Sequence, residues 1–191
     1  PAGYSSPSFC TSWCARTRRH TEGRRSGSGQ QVVVFGQKRC AIFERSRTAS
    51  SEGPVLVQSE VVFSEFTDLI LDCKIIGQED GKKELAVGFS HNFVEIWSLD
   101  GAAGGGPTCT SRVKCQDHSI LYSLTFFGSS RSTLVLAAGT VFNQILLWDP
   151  TSSSSDAGTV RQRLVGHNGV IFHIDWDQDG TSIASVSDDR T

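Results

Sequence analysis

His167, Ser187 and Asp189 place an imidazole, a hydroxyl and a carboxylate within one stretch, Leu164–Thr191 (LVGHNGVIFHIDWDQDGTSIASVSDDRT). These are the residue types of an acyl-transfer triad, in which the imidazole takes the hydroxyl proton and the carboxylate orients the ring. No nucleophile elbow or oxyanion-hole motif accompanies them, so no catalytic residue is assigned. Asp175, Asp177 and Asp179 alternate towards Gly180 and hint at calcium, but no Glu follows at the EF-hand spacing, and a solvated hairpin turn is expected. Cys10, Cys14 and His20 lack a fourth zinc ligand. No P-loop, dinucleotide fingerprint or zinc-protease motif occurs. The expectation is a protein without enzyme activity and without a cofactor or metal.

The elements that position these residues are strands. Val170–Trp176 and Ser182–Ser187 read as a hairpin around the polar turn Asp177–Gly180. Further back, Val32–Phe35, Arg39–Phe43, the run PVLVQSEVVFSEF, Asp68–Ile76, Glu84–Gly88, Phe93–Trp97, Thr108–Lys114, Ser119–Phe127, Thr133–Thr140 and Gln144–Trp148 are strand-sized and rich in β-branched or aromatic residues. They are separated by polar or Gly-rich segments such as GQEDGKK and AAGGGP. No window keeps a 3.6-residue apolar period. The chain reads as all-β.

Residues 1–29 carry five Arg and one Glu among Ser and Gly, with too few apolar residues to offset ordering entropy, so this basic Ser/Arg-rich segment is expected to be disordered. The remainder holds 13 basic against 19 acidic residues, which gives no nucleic-acid footprint of its own. Six Cys at irregular spacing fit reduced thiols and a cytoplasmic location better than a disulfide scaffold. No apolar run approaches the ~20 residues of a membrane span. The chain has no Met and begins with Pro, so a piece of a longer product is expected.

Sliding the chain on itself reveals a repeat. LAAGTVFNQILLWD (Leu136–Asp149) falls on LAVGFSHNFVEIWS (Leu85–Ser98); QVVVFGQKRCAIFE (Gln31–Glu44) is a weaker copy, and Ile183–Thr191 begins another. The anchors Phe43, Trp97 and Trp148 lie 54 and 51 residues apart, the size of a propeller blade. Such a blade buries its two apolar faces only by stacking on neighbours.

The Gly166–His167 pair and the Trp148–Asp149 pair make these repeats resemble WD-repeat blades. The resemblance implies a WD40-type β-propeller over residues 30–191, incomplete, with about three blades and part of another, cut from a longer multi-propeller chain. It also implies that the Ala and Gly at the start of each second strand sit where backbones crowd near the central channel, and that each blade holds a buried structural tetrad. His167, Ser187 and Asp189 fill three of its places in the last blade, whose Trp is expected just past Thr191. His118, Thr140 and Trp148 form a partial set, with Phe142 in the Asp slot. His91 occupies that slot in the Trp97 blade.

The series VVVFGQKRCAIF, LAVGFSHNFVEIW, LVLAAGTVFNQILLWDP, RLVGHNGVIFHIDW and SVSDDRT is similar to the N-terminal blades of the WD-repeat-containing protein 6 family. That resemblance implies a non-catalytic adaptor, the partner subunit of an FtsJ-like methyltransferase acting on the ribose 2′-hydroxyl of the tRNA wobble nucleotide (position 34). The enzyme would carry the S-adenosylmethionine site, and tRNA would be contacted in the complex. The alternative is a general WD-repeat scaffold, such as a ubiquitin-ligase receptor or a signalling platform, binding other proteins through the propeller surface without a membrane.

Overall fold

A computed structural model describes residues 16–20, 31–45, 56–63, 66–78, 80–100, 106–151 and 158–191. Cys10, Cys14, most of the 1–29 segment and parts of several loops lie outside the described residues. The strands form four antiparallel sheets. The first is β1 (Arg16–His20), β2 (Gln31–Gly36), β3 (Arg39–Arg45) and β4 (Leu56–Phe63), in that spatial order. The second is β5 (Ile70–Gly77), β6 (Lys83–Phe89), β7 (Phe93–Ser98) and β8 (Thr108–Lys114). The third is β9 (Leu121–Phe127), β10 (Val135–Thr140), β11 (Gln144–Trp148) and β12 (Val160–Val165). The fourth pairs β13 (Ile171–Trp176) with β14 (Ile183–Ser187). Three four-stranded blades and part of another, with the sheets not closed on one another, form a partial WD40-type propeller. Among the described residues the one helical element is a 3-10 turn, Arg131–Thr133, and no helix is long and apolar enough to cross a membrane.

Arg16–His20 departs from the expected disorder of residues 1–29. It pairs with β2 from Arg16↔Phe35 to His20↔Gln31. Ladder hydrogen bonds come from the backbone of any non-Pro residue, so a polar segment can join a sheet whose neighbour supplies the apolar faces.

Stacking explains why the strands read as runs and not as clean alternation. A sheet covered on both faces needs apolar residues at consecutive positions. In β6 every residue after Lys83 is buried. One cluster joins the first two sheets through Val33, Phe35, Ile42, Ile75, Val87 and Phe89. A second joins the next two through Ala86, Ile96, Leu124, Phe126, Leu136 and Trp148. A third joins β10 and β11 to the last hairpin through Ala137, Ile145, Ile171 and Ile174.

The repeat is visible in backbone conformation as well as in side chains. Gln37, Asn92, Asn143 and Arg190 have φ of 49°, 56°, 59° and 70°. Each follows the second strand of its sheet, where the chain must turn through the left-handed region. Trp97 pairs with Leu85, Trp148 with Leu136, and Phe43 with Val32. The weakest repeat is therefore one residue out of step with the sequence alignment, which put Gln31 opposite Leu85. Its hairpin is shorter: Gly36 pairs directly with Arg39, while Phe89 and Phe93 are separated by three residues.

Gly88 and Gly139 lie at the end of their second strands and not at the start. A Cβ on Gly88 would stand 2.8 Å from both Leu124 methyls, and one on Gly139 2.4 Å from Ser123 Oγ and 2.9 Å from Ile171 Cγ2. Both glycines thus let the first strand of the next repeat come close.

Candidate functional site

The best-formed polar constellation joins the loop before β13 to the turn after β14. Asp189 Oδ2 lies 3.1 Å from His167 Nδ1. A carboxylate only accepts, so Nδ1 carries the shared proton. Asp189 also accepts the backbone N–H groups of Asn168 (2.7 Å) and Thr191 (3.0 Å) and the Thr191 hydroxyl (2.7 Å).

Ser187 does not join His167, contrary to the sequence reading. Its hydroxyl donates to Asp188 Oδ1 and accepts from the Asp189 N–H, both at 3.3 Å. The hydroxyl on His167 Nε2 is that of Ser185, at 2.8 Å. The two ring nitrogens face opposite ways. With Nδ1 turned to the carboxylate, Nε2 reaches back along β14, and a residue two positions further from the turn meets it, about 7 Å along the strand.

Ser185, His167 and Asp189 are connected in the order of an acyl-transfer triad. Here, however, the carboxylate also gathers two backbone amides, and the imidazole and carboxylate side chains are only 14 % and 12 % exposed. The arrangement ties a loop to a turn.

The second sheet carries the same pair with the roles exchanged. Asp68 lies in the loop entering β5, and His91 in the turn after β6. Asp68 Oδ1 accepts from the Leu69 N–H and the Ser90 hydroxyl, both at 2.8 Å. Its Oδ2 accepts from the His91 N–H at 3.0 Å and lies 2.9 Å from His91 Nδ1. The sequence comparison put His91 in the Asp slot but missed its partner. The available signal was that an acid is needed where a His stands in the other repeat.

His118, Thr140 and Trp148 are not brought together. His118 is exposed and lines an open cleft with Gln116, Ser119, Phe142 and Arg163. The Thr140 hydroxyl donates to the Gln144 carbonyl (3.0 Å) and accepts from the Phe142 and Gln144 amides, which closes its own turn. Trp148, fully buried, donates Nε1–H to Asn92 Oδ1 at 3.2 Å, across the junction between sheets. Asn92, also fully buried, donates Nδ2–H to the Asp117 carbonyl at 2.7 Å, and its own carbonyl accepts the Cys115 N–H at 2.9 Å. Asn92 thus supplies the acceptor for the Trp148 N–H from the neighbouring repeat. The other anchors sit on third strands: Trp97 donates to Glu95 Oε2 at 3.0 Å and meets Phe66 edge-on, and Phe43 is half-buried on β3.

Asp177 accepts from the Thr181 N–H, the Thr181 hydroxyl and the Ser182 N–H, as a hairpin turn requires, while Asp175 and Asp179 are exposed. Among the described residues no group of three or more His, Cys, Asp or Glu is arranged to hold a metal. Cys40, Cys73 and Cys115 are buried and Cys109 is exposed.

The carboxylate contacts set an acid limit. Asp189 is held far below the usual carboxylate range by the Asn168 amide, then the Thr191 hydroxyl. Asp68 is lowered too: burial opposes ionisation, but the Ser90 hydroxyl and His91 outweigh it. A carboxyl depressed in the folded state stabilises it fully above its unfolded pKa, about 3.9. That contribution is lost as the pH falls through the folded value. Thermal unfolding followed from pH 7 to pH 2 should therefore show no loss from these groups until about pH 4 and a decline below it. Asp189→Asn should flatten that decline; an unchanged acid limb in this variant would contradict the assignment.

No protein-family model matches the chain. It is similar to curated proteins named tRNA (34-2'-O)-methyltransferase regulator WDR6. The Drosophila melanogaster protein is 28 % identical over 121 residues, covering 60 % of this chain and 12 % of that protein. The human protein is 30 % identical over 109 residues, and the Bos taurus protein 32 % over 110; each match covers 56 % of this chain and 9 % of the relative. The chain thus spans about a tenth of the length of these relatives. With three blades and part of a fourth stacked as the repeats require, these matches relate the chain to the WDR6 family.

Proposed function

We propose that this chain is a non-catalytic part of a regulator of a tRNA methyltransferase, and that it acts as an adaptor. The observation that carries the reading is its similarity to proteins named as regulators of a tRNA 34-2'-O-methyltransferase. The site geometry is in keeping with it, because the imidazole, hydroxyl and carboxylate of His167, Ser185 and Asp189 are engaged in holding a loop to a turn. The finer proposal is that the partner is an FtsJ-like enzyme carrying S-adenosylmethionine, that the product is the 2′-O-methylated ribose of the wobble nucleotide, that tRNA is contacted in the complex, and that the complex is cytoplasmic.

Disrupting the gene for the full-length protein and measuring ribose methylation at tRNA position 34 by mass spectrometry tests this. Methylation should fall to background and return on re-expression. Unchanged methylation would reject the reading and leave a scaffold of other protein complexes in its place.

A further inference from the structure

The chain has three asparagines, Asn92, Asn143 and Asn168, and their surroundings differ in what they allow the side-chain amide to do. An asparagine is lost when the next backbone nitrogen reaches its Cγ and closes a five-membered imide. Closure needs a side chain free to turn, a nitrogen free to give up its proton, and no bulk on the following residue. Asn92 is locked. It is fully buried, its side-chain amide is held by Trp148 and the Asp117 carbonyl, and Phe93 follows it. Asn143 is followed by Gln144, whose N–H donates to the Thr140 hydroxyl at 3.1 Å.

Asn168 differs on every count. It is exposed, and among the described residues its side-chain amide makes no hydrogen bond. Gly169 follows, with no side chain to crowd the ring. The Gly169 N–H has no acceptor among the described residues. The pairs Asp80–Gly81 and Asp179–Gly180 could close the same ring, but there the attacking nitrogen is engaged. The Gly81 N–H donates to the Gln78 carbonyl at 3.0 Å and the Gly180 N–H to the Asp177 carbonyl at 3.3 Å. The fold also favours glycine after Asn168, because a Cβ on residue 169 would overlap Asp188 Oδ1 and stand 3.1 Å from the Asp189 nitrogen.

We propose that Asn168 is a modification site of this chain: it deamidates through an imide with Gly169, and the product loosens the tie between the loop before β13 and the turn after β14. The Gly169 nitrogen forms a bond to Asn168 Cγ, the Cγ–Nδ2 bond breaks, and Nδ2 leaves as ammonia with the proton that Gly169 gives up. Water then opens the imide at either carbonyl, and no oxidant or reductant is needed. One product is aspartate. The other is isoaspartate, in which the main chain runs through Cβ and Cγ and is one carbon longer. Both put a new carboxylate on the loop that touches Asp188 and Asp189. The isoaspartyl form also lengthens the backbone next to the Asn168 N–H, which donates to Asp189 Oδ2 at 2.7 Å. Repulsion between like charges and a displaced amide both act against the His167–Asp189 pair.

Ageing the full-length protein at neutral pH in heavy-oxygen water, followed by digestion and mass spectrometry, tests this. Peptides containing Asn168 should take up heavy oxygen and separate into aspartyl and isoaspartyl forms, at a rate at least about tenfold above that at Asn143. Hydrogen exchange of β13 and β14 should rise as the products accumulate. Asn168→Gln, whose imide ring would have six members, should suppress both changes. Conversion no faster than at Asn143, an aspartyl product alone, or unchanged exchange in the aged protein would overturn the inference. None of these outcomes bears on the adaptor reading, because none of them measures ribose methylation.

Discussion

Asn92→Ala should cost the fold about 3–5 kcal/mol, the largest effect of any single truncation of a turn residue. The change removes the acceptor of the buried Trp148 N–H and the donor to the Asp117 carbonyl, and stranding a buried polar group costs about 1–3 kcal/mol each. It also puts a Cβ-bearing residue without a local polar side chain at φ 56°, for roughly 1 kcal/mol more. Asn143→Ala is the internal control. Asn143 holds the matched position at φ 59° without the cross-sheet bonds, so only the backbone cost of about 1 kcal/mol applies. Native-state hydrogen exchange of peptides spanning β7 and β11 reads both, because local opening free energies appear there directly. Equal losses in the two variants would remove Asn92 from its role.

Gly139→Ala should cost about 3 kcal/mol and act on the contact between the third sheet and the last hairpin. The new methyl meets Ser123 Oγ at 2.4 Å and Ile174 Cδ1 at 3.0 Å, and inserting a methyl into a filled core costs about 1–3 kcal/mol. If Ser123 rotates away, its bond to the buried Ile171 carbonyl is lost as well. Gly88→Ala, at the matched position, meets only side-chain ends, the Leu124 methyls and the tip of the Phe126 ring, and about 1 kcal/mol is expected. Exchange in β13 and β14 should rise sharply in the first variant and little in the second; the opposite order would contradict the packing described.

The architecture was readable because stacking imposes a rule on every repeat. A strand covered on both faces must be apolar throughout, and Leu85–Phe89 and Leu136–Thr140 show it in their letters. Spacing between Trp97 and Trp148 then set the blade length. What was not readable depended on partners from other repeats. Trp148 looked as if it should bond within its own blade, beside His118 and Thr140, but its acceptor is Asn92, 56 positions earlier. Ser187 and Ser185 differ by one turn of the strand's two-residue period, and only the direction of the His167 ring chooses between them. Asp68 carried no motif, since an acid exchanged with its imidazole keeps the pairing and loses the pattern. Residues 16–20 joined a sheet through the backbone, which composition does not report.

The central structural claim is that neighbouring repeats are joined through side chains of their turns, and the Asn92–Trp148 bond is its most direct instance. A double-mutant cycle of Asn92→Ala and Trp148→Phe, read by exchange of the β11 amides in the full-length protein, isolates that bond. A coupling of about 1–2 kcal/mol is predicted, because either change alone strands the other's buried group. Additivity within about 0.5 kcal/mol would contradict it.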